Sequence, residues 1–458
     1  MSSVIEDIAA WSAAGQDFSA VARQRAVHAI ADTIGCMIAG ADDFSTEAVR
    51  QGLSSAIGAN GPAHVAGGGT AEPTVAALVN GTAAHALDFD DNFAPAMSHA
   101  SAVLVPAILA VAEATDAGGS ELIDAYLIGL EAQAWVGQGM RPWHYTAGWH
   151  ATATVGAIGT AAATAWLVGR DAPTIARAMS LATSTACGLK GQFGTPVKPF
   201  HAGVAARAAV EAALFAKAGL TGRLDILEAP QGFLELFGAG EAPGWSDAGP
   251  GARHVIEEDG LMPKRHPCCG STHLAVDMIL DLRREHGFSA EDVASIALRV
   301  GIANARNLAY PDPQNEMEAR FSMQYCVARA LRQDVLSVRD FTPEAVFDPS
   351  VRALLPITSM TPFSVEEERA EPRRAHEITL SLKDGRRFFA KRKHAKGTIQ
   401  FPFTDGERLA KFRDCCGGTR QADDLYAAID DLDQASTVAA LGAGLSGDDR
   451  LVQQAALG

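Results

Sequence analysis

From residue 151 to residue 169 the chain carries no charged side chain and is built mainly of Ala, Gly and Thr. On length alone such a stretch could cross a membrane, which takes roughly 20 apolar residues. Few of its side chains are large and apolar, however. The composition suits a helix enclosed on all sides by other helices, where small residues let neighbouring backbones come close. The same texture fills roughly the first 220 residues. Val27, Ile30, Ala31, Ile34 and Ile38 recur at helical spacing and predict a helix over 21–38, stopped at Gly40. Pro73, a favoured first-turn residue, opens another over 74–87. Further helices are predicted over 102–114, 122–134, 152–167, 175–186 and 204–218.

After about residue 265 the period changes. Ile296, Leu298 and Val300 alternate across 292–300, as do Ile378, Leu380 and Leu382 across 377–382. Asp384-Gly385 is a hairpin signal, with a return strand over 387–391. Helices are predicted over 272–285, 321–332, 407–412 and 422–429. The chain thus reads as mainly α. A large all-helical domain spans 1–265, a smaller α+β domain 266–398, and C-terminal helices over 399–458 return to the first domain.

Hydrophobic residues make up 48% of the 458, enough for a substantial core, which excludes a disordered chain or a disulfide-stapled miniprotein. Lys and Arg number 38 against 54 Asp and Glu, a formal net charge of −16. That is the wrong sign for a nucleic-acid binder. An anionic substrate would have to be met by a few cations gathered locally. The seven cysteines are odd in number, with Cys268-Cys269 and Cys415-Cys416 adjacent, and read as reduced thiols of a cytoplasmic protein. The opening MSSVIEDIAAW has no basic segment followed by an apolar one, so neither a signal peptide nor a membrane partner is expected.

Four segments concentrate reactive side chains. In the first, His85, Asp88, Asp90, Asp91 and Asn92 crowd a helix end, with His99 downstream. Three carboxylates in four residues raise a pKa unless cations or a metal sit near. Solvated loop acids are the plain alternative, and no Gly-rich phosphate cradle accompanies them as a magnesium loop would have. The second holds Trp143, His144, Tyr145, Trp149 and His150. Its histidines lack the spacing of a helical zinc pair, so the tryptophans read as packing and Tyr145 and His150 as site groups. In the third, Lys198 stands between Pro196 and Pro199 just ahead of a helix, with His201 following. The positive helix end and burial would both depress its charge, as a catalytic base requires. The fourth holds Lys264, Arg265, His266, Cys268, Cys269 and His273. Arg265 suits bidentate carboxylate binding, Cys268 reads as a buried thiol, and zinc would need two further ligands, so no metal is expected.

In this order the landmarks resemble the MmgE/PrpD family over nearly the whole chain. They are the 85–91 run with His99, then Gly148-Trp149-His150, then Lys198-Pro199 with His201 and Gly203, then Pro267, Cys269 and Thr272-His273. The segment from Arg320 through Phe321, Ser322, Met323 and Gln324 to Tyr325 is similar to a further family segment. The resemblance implies a large helical domain with a smaller α/β lid, a homodimer, and di- or tricarboxylate substrates handled without a required metal or organic cofactor. Matched segment by segment, it implies that Asp88, His99, His150, Lys198 and Tyr325 line a cleft closed by the 265–273 loop.

Substrates of this family share an acidic C–H beside a carboxylate. Its removal builds charge on the carboxylate oxygens, which preplaced donors must meet. Arg265, His150 and Asn92 suit that role, and His201, His266, Cys269 and His273 are expected to contact substrate as well. Asn92 stands where dehydrating and decarboxylating members usually have Thr, and Ala100 where they have Pro. The 91–99 stretch is one residue longer than in the decarboxylases, and Cys269 falls near a second His of the animal ones. These departures move the expected reaction to epimerisation of an iminodisuccinate-type amino-dicarboxylate. Tyr145 and Lys198 would act on opposite faces of one carbon. The alternatives are a 2-methylcitrate-type dehydratase, a cis-aconitate decarboxylase, and a dicarboxylate binder without turnover.

Overall fold

The structure is a computed structural model that describes residues 2–446 apart from 59, 247, 248, 250–252, 372 and 373. The end of the segment expected to return to the first domain, 447–458, lies outside the described residues. Two separate apolar cores organise the rest. The first is formed by helices α1 (Ala20–Ala39), α2 (Pro73–Ala86), α3 (Ala100–Ala114), α4 (Gly119–Gln138), α5 (Val155–Gly169), α6 (Ala172–Thr183) and α7 (Val197–Lys217). The chargeless segment is α5, buried from Val155 to Leu167 and wrapped by α3, α4, α6 and α7. No helix among the described residues is long and apolar enough to cross a membrane.

The second core lies between a four-stranded sheet and two helices, α8 (Gly270–His286) and α9 (Met323–Arg332). The strands β1 (Val293–Val300), β2 (Thr358–Pro362), β3 (His376–Leu382) and β4 (Arg387–Arg392) run in the order β2-β1-β3-β4. Strands β1 and β3 are antiparallel, with Ile296 opposite Leu380 and Leu298 opposite Ile378, so the alternating apolar residues share the covered face. Strand β2 pairs parallel to β1 and was not expected. It is a short, largely exposed edge strand of Thr, Ser and Met ending in Pro362, so it has no apolar alternation to read. Helices α10 (Asp405–Cys415) and α11 (Arg420–Asp430) add Phe412, Leu425 and Ile429 to the first core. All seven cysteines are free thiols.

Helix α7 begins earlier than the apolar pattern predicted, so Lys198 lies inside its first turn rather than ahead of it. A first turn has no intrahelical acceptors for its N–H groups, which is why Pro199 fits there. Helices α2 and α7 touch through their backbones. A Cβ on Gly203 would sit 2.2 Å from the Leu78 carbonyl oxygen and 2.3 Å from Thr82 Oγ1, and one on Gly81 would sit 2.9 Å from the Gly203 Cα. This approach sets the first turn of α7 beside the last turn of α2, which bears His85. Gly203→Ala is expected to lower stability by about 3 kcal/mol, the upper end for overpacking, because the obstacle is backbone. Denaturant unfolding checks it, and an unchanged midpoint would refute the close-packing account.

Candidate active site

After α2 the chain turns at Asp88, whose φ of 50° is left-handed, a conformation Asp adopts more readily than bulkier residues. The turn is gripped from two sides. Lys198 Nζ lies 2.5 Å from Asp88 Oδ1. Lys264 Nζ, from the segment joining the two lobes, lies 3.0 Å from the same oxygen and donates to the Asp88 carbonyl at 2.9 Å. His85 bridges the next layer, with Nδ1 2.9 Å from Asp90 Oδ2 and Nε2 2.8 Å from Lys198 Nζ. A carboxylate accepts and an ammonium donates, so His85 is the neutral Nδ1–H tautomer. His99 Nδ1 donates to the Asp91 carbonyl at 2.8 Å, and His150 Nδ1 meets His201 Nδ1 at 3.2 Å. The His85 ring lies 4.5 Å from that of His99 and 5.7 Å from that of His150, so the histidines form one patch.

Lys198, Lys264, Asp88 and Asp90 are each no more than 3% exposed, so their charges must balance one another. Burial alone would raise the Asp88 carboxyl, but Lys198 and Lys264 hold it well below the usual carboxylate range. Burial would likewise raise Asp90, and His85, Lys264 and His99 hold it down. Burial alone would lower Lys264, and Asp88 and Asp90 raise it. The histidines go the other way. Burial lowers His85, His99 and His150, with Lys198 or Lys264 adding to the effect, and His201 falls to about 4. The site therefore presents two ammonium groups beside neutral imidazoles. Asp88 Oδ2, Asp90 Oδ1 and His150 Nε2 have no hydrogen-bond partner among the described residues. Ligand atoms of His85, Asp88, Asp90 and His99 come within 4.8 Å of one another, close enough for a cation. Lys198 and Lys264 already supply positive charge at that point.

One side of the cluster faces the second lobe. An isolated bridge between Trp149 and Leu189, with Lys190 N donating to the Gly148 carbonyl at 2.8 Å, draws the 145–150 segment against the 188–193 segment. The Phe193 ring then lies 4.9 Å from the His150 ring and 5.4 Å from Lys198 Nζ, and Phe321 of the second lobe lies 5.3 Å from that Nζ. Asn307 of the second lobe donates to the Tyr145 hydroxyl at 3.2 Å. Burial pushes that hydroxyl up, and Cys269 adds to the shift. Beside it opens a cavity of about 350 Å³ lined by Lys190, Gly191, Phe193, Arg306, Asn307, Ala309 and Tyr310.

Of the residues singled out from sequence, Asp88, His99, His150, Lys198 and His201 come together in this cluster. Tyr145 and Cys269 stand at its rim, and Asn92 lies against Gly270 at the start of α8. Four others are held elsewhere. Arg265 and His266 both meet Asp277 Oδ1, at 3.1 and 3.3 Å, so their side chains pin the loop to α8. His273 is buried with Nε2 3.2 Å from the Cys268 carbonyl. Tyr325 donates to the Asp340 carbonyl at 2.5 Å and accepts from Arg329 inside the second core, rather than lining the cleft. The cation at the boundary is Lys264, not its neighbour Arg265, because successive side chains there point to different sides. Trp149 packs on His144 and Phe237, whereas Trp143 is 40% exposed and does not share that role. Lys190, Arg306 and Asn307 carried no signal in the sequence, since each acts only through its place at the junction.

A helical body joined to an α+β lobe, with a buried Lys–Asp–His cluster at the junction, makes that junction the candidate enzyme site. The chain belongs to the MmgE/PrpD family: residues 6–246 match the MmgE/PrpD N-terminal domain and 266–433 the C-terminal domain. It is 29% identical to the cis-aconitate decarboxylase of Homo sapiens over 364 residues, 74% of this chain and 72% of the relative. With that of Mus musculus it shares 29% over 365 residues, covering 74% and 71%. With that of Aspergillus terreus it shares 30% over 303 residues, covering 62% and 61%. The chain is an enzyme of this family, and these relatives are decarboxylases, that is, lyases.

Two stability effects follow from the cluster. Lys264→Met leaves two buried carboxylates short of a cation and is expected to cost about 3–5 kcal/mol in denaturant unfolding. A loss under about 1 kcal/mol would show that the pair is dispensable. Asp91 is raised from 3.8 to about 7, by burial first and by Asp90 and Asp32, against the hydrogen bonds it accepts from Ser101. Between those values the native chain holds a proton that the unfolded chain releases, so stability falls as pH rises and levels off above about 7. Asp91→Asn should remove that fall, worth at most about 4 kcal/mol. Unfolding midpoints of both proteins at pH 5 and pH 8 give the comparison, and parallel pH curves would rule it out.

Proposed function

We propose that this chain is a lyase for a di- or tricarboxylate, with Lys198 as its proton donor. The observation that carries the reading is the placement of the Lys198 ammonium. Two of its three N–H groups meet Asp88 and His85, leaving one for a substrate. Neutral imidazoles stand beside it. In the tautomer in which His150 Nδ1–H donates to His201, the buried and unpartnered Nε2 of His150 carries a lone pair and can act as base beside the Lys198 acid. Loss of CO2 would leave an electron pair on carbon, stabilised by the nearby cations until Lys198 returns a proton. Loss of water would use His150 to remove the proton beside the carboxylate and Lys198 to protonate the departing hydroxyl. The similarity to cis-aconitate decarboxylases makes cis-aconitate the first substrate to try.

Epimerisation of an iminodisuccinate-type substrate is the second reading, and Tyr145 at the rim favours it. It requires one partner to start as a base. Burial keeps the Tyr145 hydroxyl protonated, and Lys198 is paired as an ammonium, so this couple offers two acids at rest. Proton NMR in deuterated water with cis-aconitate, citrate isomers and amino-dicarboxylates separates the outcomes. The lyase predicts loss of CO2 or water, and Lys198→Ala, assayed below its own unfolding temperature because Asp88 also loses a partner, should reduce that rate by about 10²–10⁴-fold. Exchange and inversion of the α-hydrogen without any loss would replace the lyase with the epimerase.

A further inference from the structure

We infer that the cavity between Lys190 and Arg306 is the subsite for a substrate carboxylate remote from the reacting carbon. This rests on the carboxylate-lyase reading and adds to it how the substrate is held.

The two cations come from opposite lobes, Lys190 from the segment ahead of α7 and Arg306 from the segment after β1. Both line the same cavity of about 350 Å³, and none of its lining residues is acidic. Among the described residues neither forms an ion pair. Among the described residues the Lys190 side chain donates only to the Tyr145 carbonyl at 3.4 Å, and the Arg306 side chain makes no hydrogen bond. In a chain with a formal charge of −16, two unpaired cations facing one space are a local exception. The polar wall residues have partners already: Tyr310 donates to the Phe193 carbonyl at 3.0 Å, and Asn307 donates to Tyr145 and Ser271. The positive groups are what remains for a ligand.

The cavity adjoins the catalytic cluster through one aromatic wall. Lys190 Nζ is 5.9 Å and Lys198 Nζ 5.4 Å from the Phe193 ring. Lys190 Nζ also lies 3.5 Å from the centre of the Tyr145 ring. A substrate reacting at Lys198 therefore has a second cationic site within reach past Phe193. Burial first, and Arg306 as well, pull Lys190 down to about 8. An anion between the two cations would offset that repulsion, and the planar Arg306 fork matches a carboxylate. Because each lobe contributes one cation, a carboxylate bound here also ties the lobes together across the cleft.

The test is calorimetric binding of tricarballylate, an unreactive tricarboxylate, at pH 7. Wild type is compared with Lys190→Met, Arg306→Met and, as a surface control, Lys217→Met, with thermal melts confirming the fold. The expected result is at least tenfold weaker binding for the first two and no change for the control. Equal affinity in all four proteins, or no binding to wild type, would overturn the subsite. So would inorganic phosphate that binds as tightly as tricarballylate and is lost in the same variants, which would mark a general anion site. Binding of an unreactive probe is read independently of turnover, so failure of the lyase chemistry would show in the NMR panel and not here.

Discussion

The Asp88 carboxylate, held between Lys198 and Lys264, is the contact on which the site depends. Removing such groups from water costs several kcal/mol per ion, and only close, well-partnered opposite charges offset it. Here the partners come from three places: the turn after α2, the first turn of α7, and the segment joining the lobes. The pairing therefore requires that α2 and α7 meet at Gly81 and Gly203 and that the lobe junction be closed over them. Packing and electrostatics are one constraint in this molecule. The left-handed turn at Asp88 is tolerated because both its side chain and its carbonyl are held.

The same constraint sets the chemistry. Fixed ammonium groups and burial keep the histidines neutral, so in the proposed lyase the acid and base functions would fall on different side-chain types without a change of pH. It also resolves the apparent conflict between an acidic chain and an anionic substrate. The net charge of −16 describes the whole sequence, whereas four cations gather at the junction: Lys198 and Lys264 inside, Lys190 and Arg306 outside.

Legibility from sequence followed the range of the interaction involved. Helix α5 and strands β1 and β3 were readable because a local period of apolar or small residues encodes them, and β4 because Asp384-Gly385 signals a hairpin. The start of α7 was misplaced because a helix N-terminus is set by capping and first-turn tolerance, not by apolar spacing. Strand β2 had no alternation because only one end of it is covered. At the site, the motifs around Asp88, His150 and Lys198 were visible as unusual clusters. The choice of Arg265 over Lys264 went astray because sequence shows the stronger carboxylate binder but not Asp277 waiting on α8. Tyr325 was carried in by resemblance, and its hydroxyl faces Asp340 within its own lobe.

By itself, then, the sequence determined a helical body of small residues, a second α+β lobe, an overall negative charge, and the presence of residue types able to do acid–base chemistry. Those are properties of composition and local period, which neighbouring residues carry without help. Tertiary structure alone decided which cations meet Asp88, which histidines stay neutral, and that Lys190 and Arg306 share a cavity. Each of these depends on the burial and separation of groups far apart in the chain. Coulombic and desolvation energies are functions of distance in space and not of position in sequence.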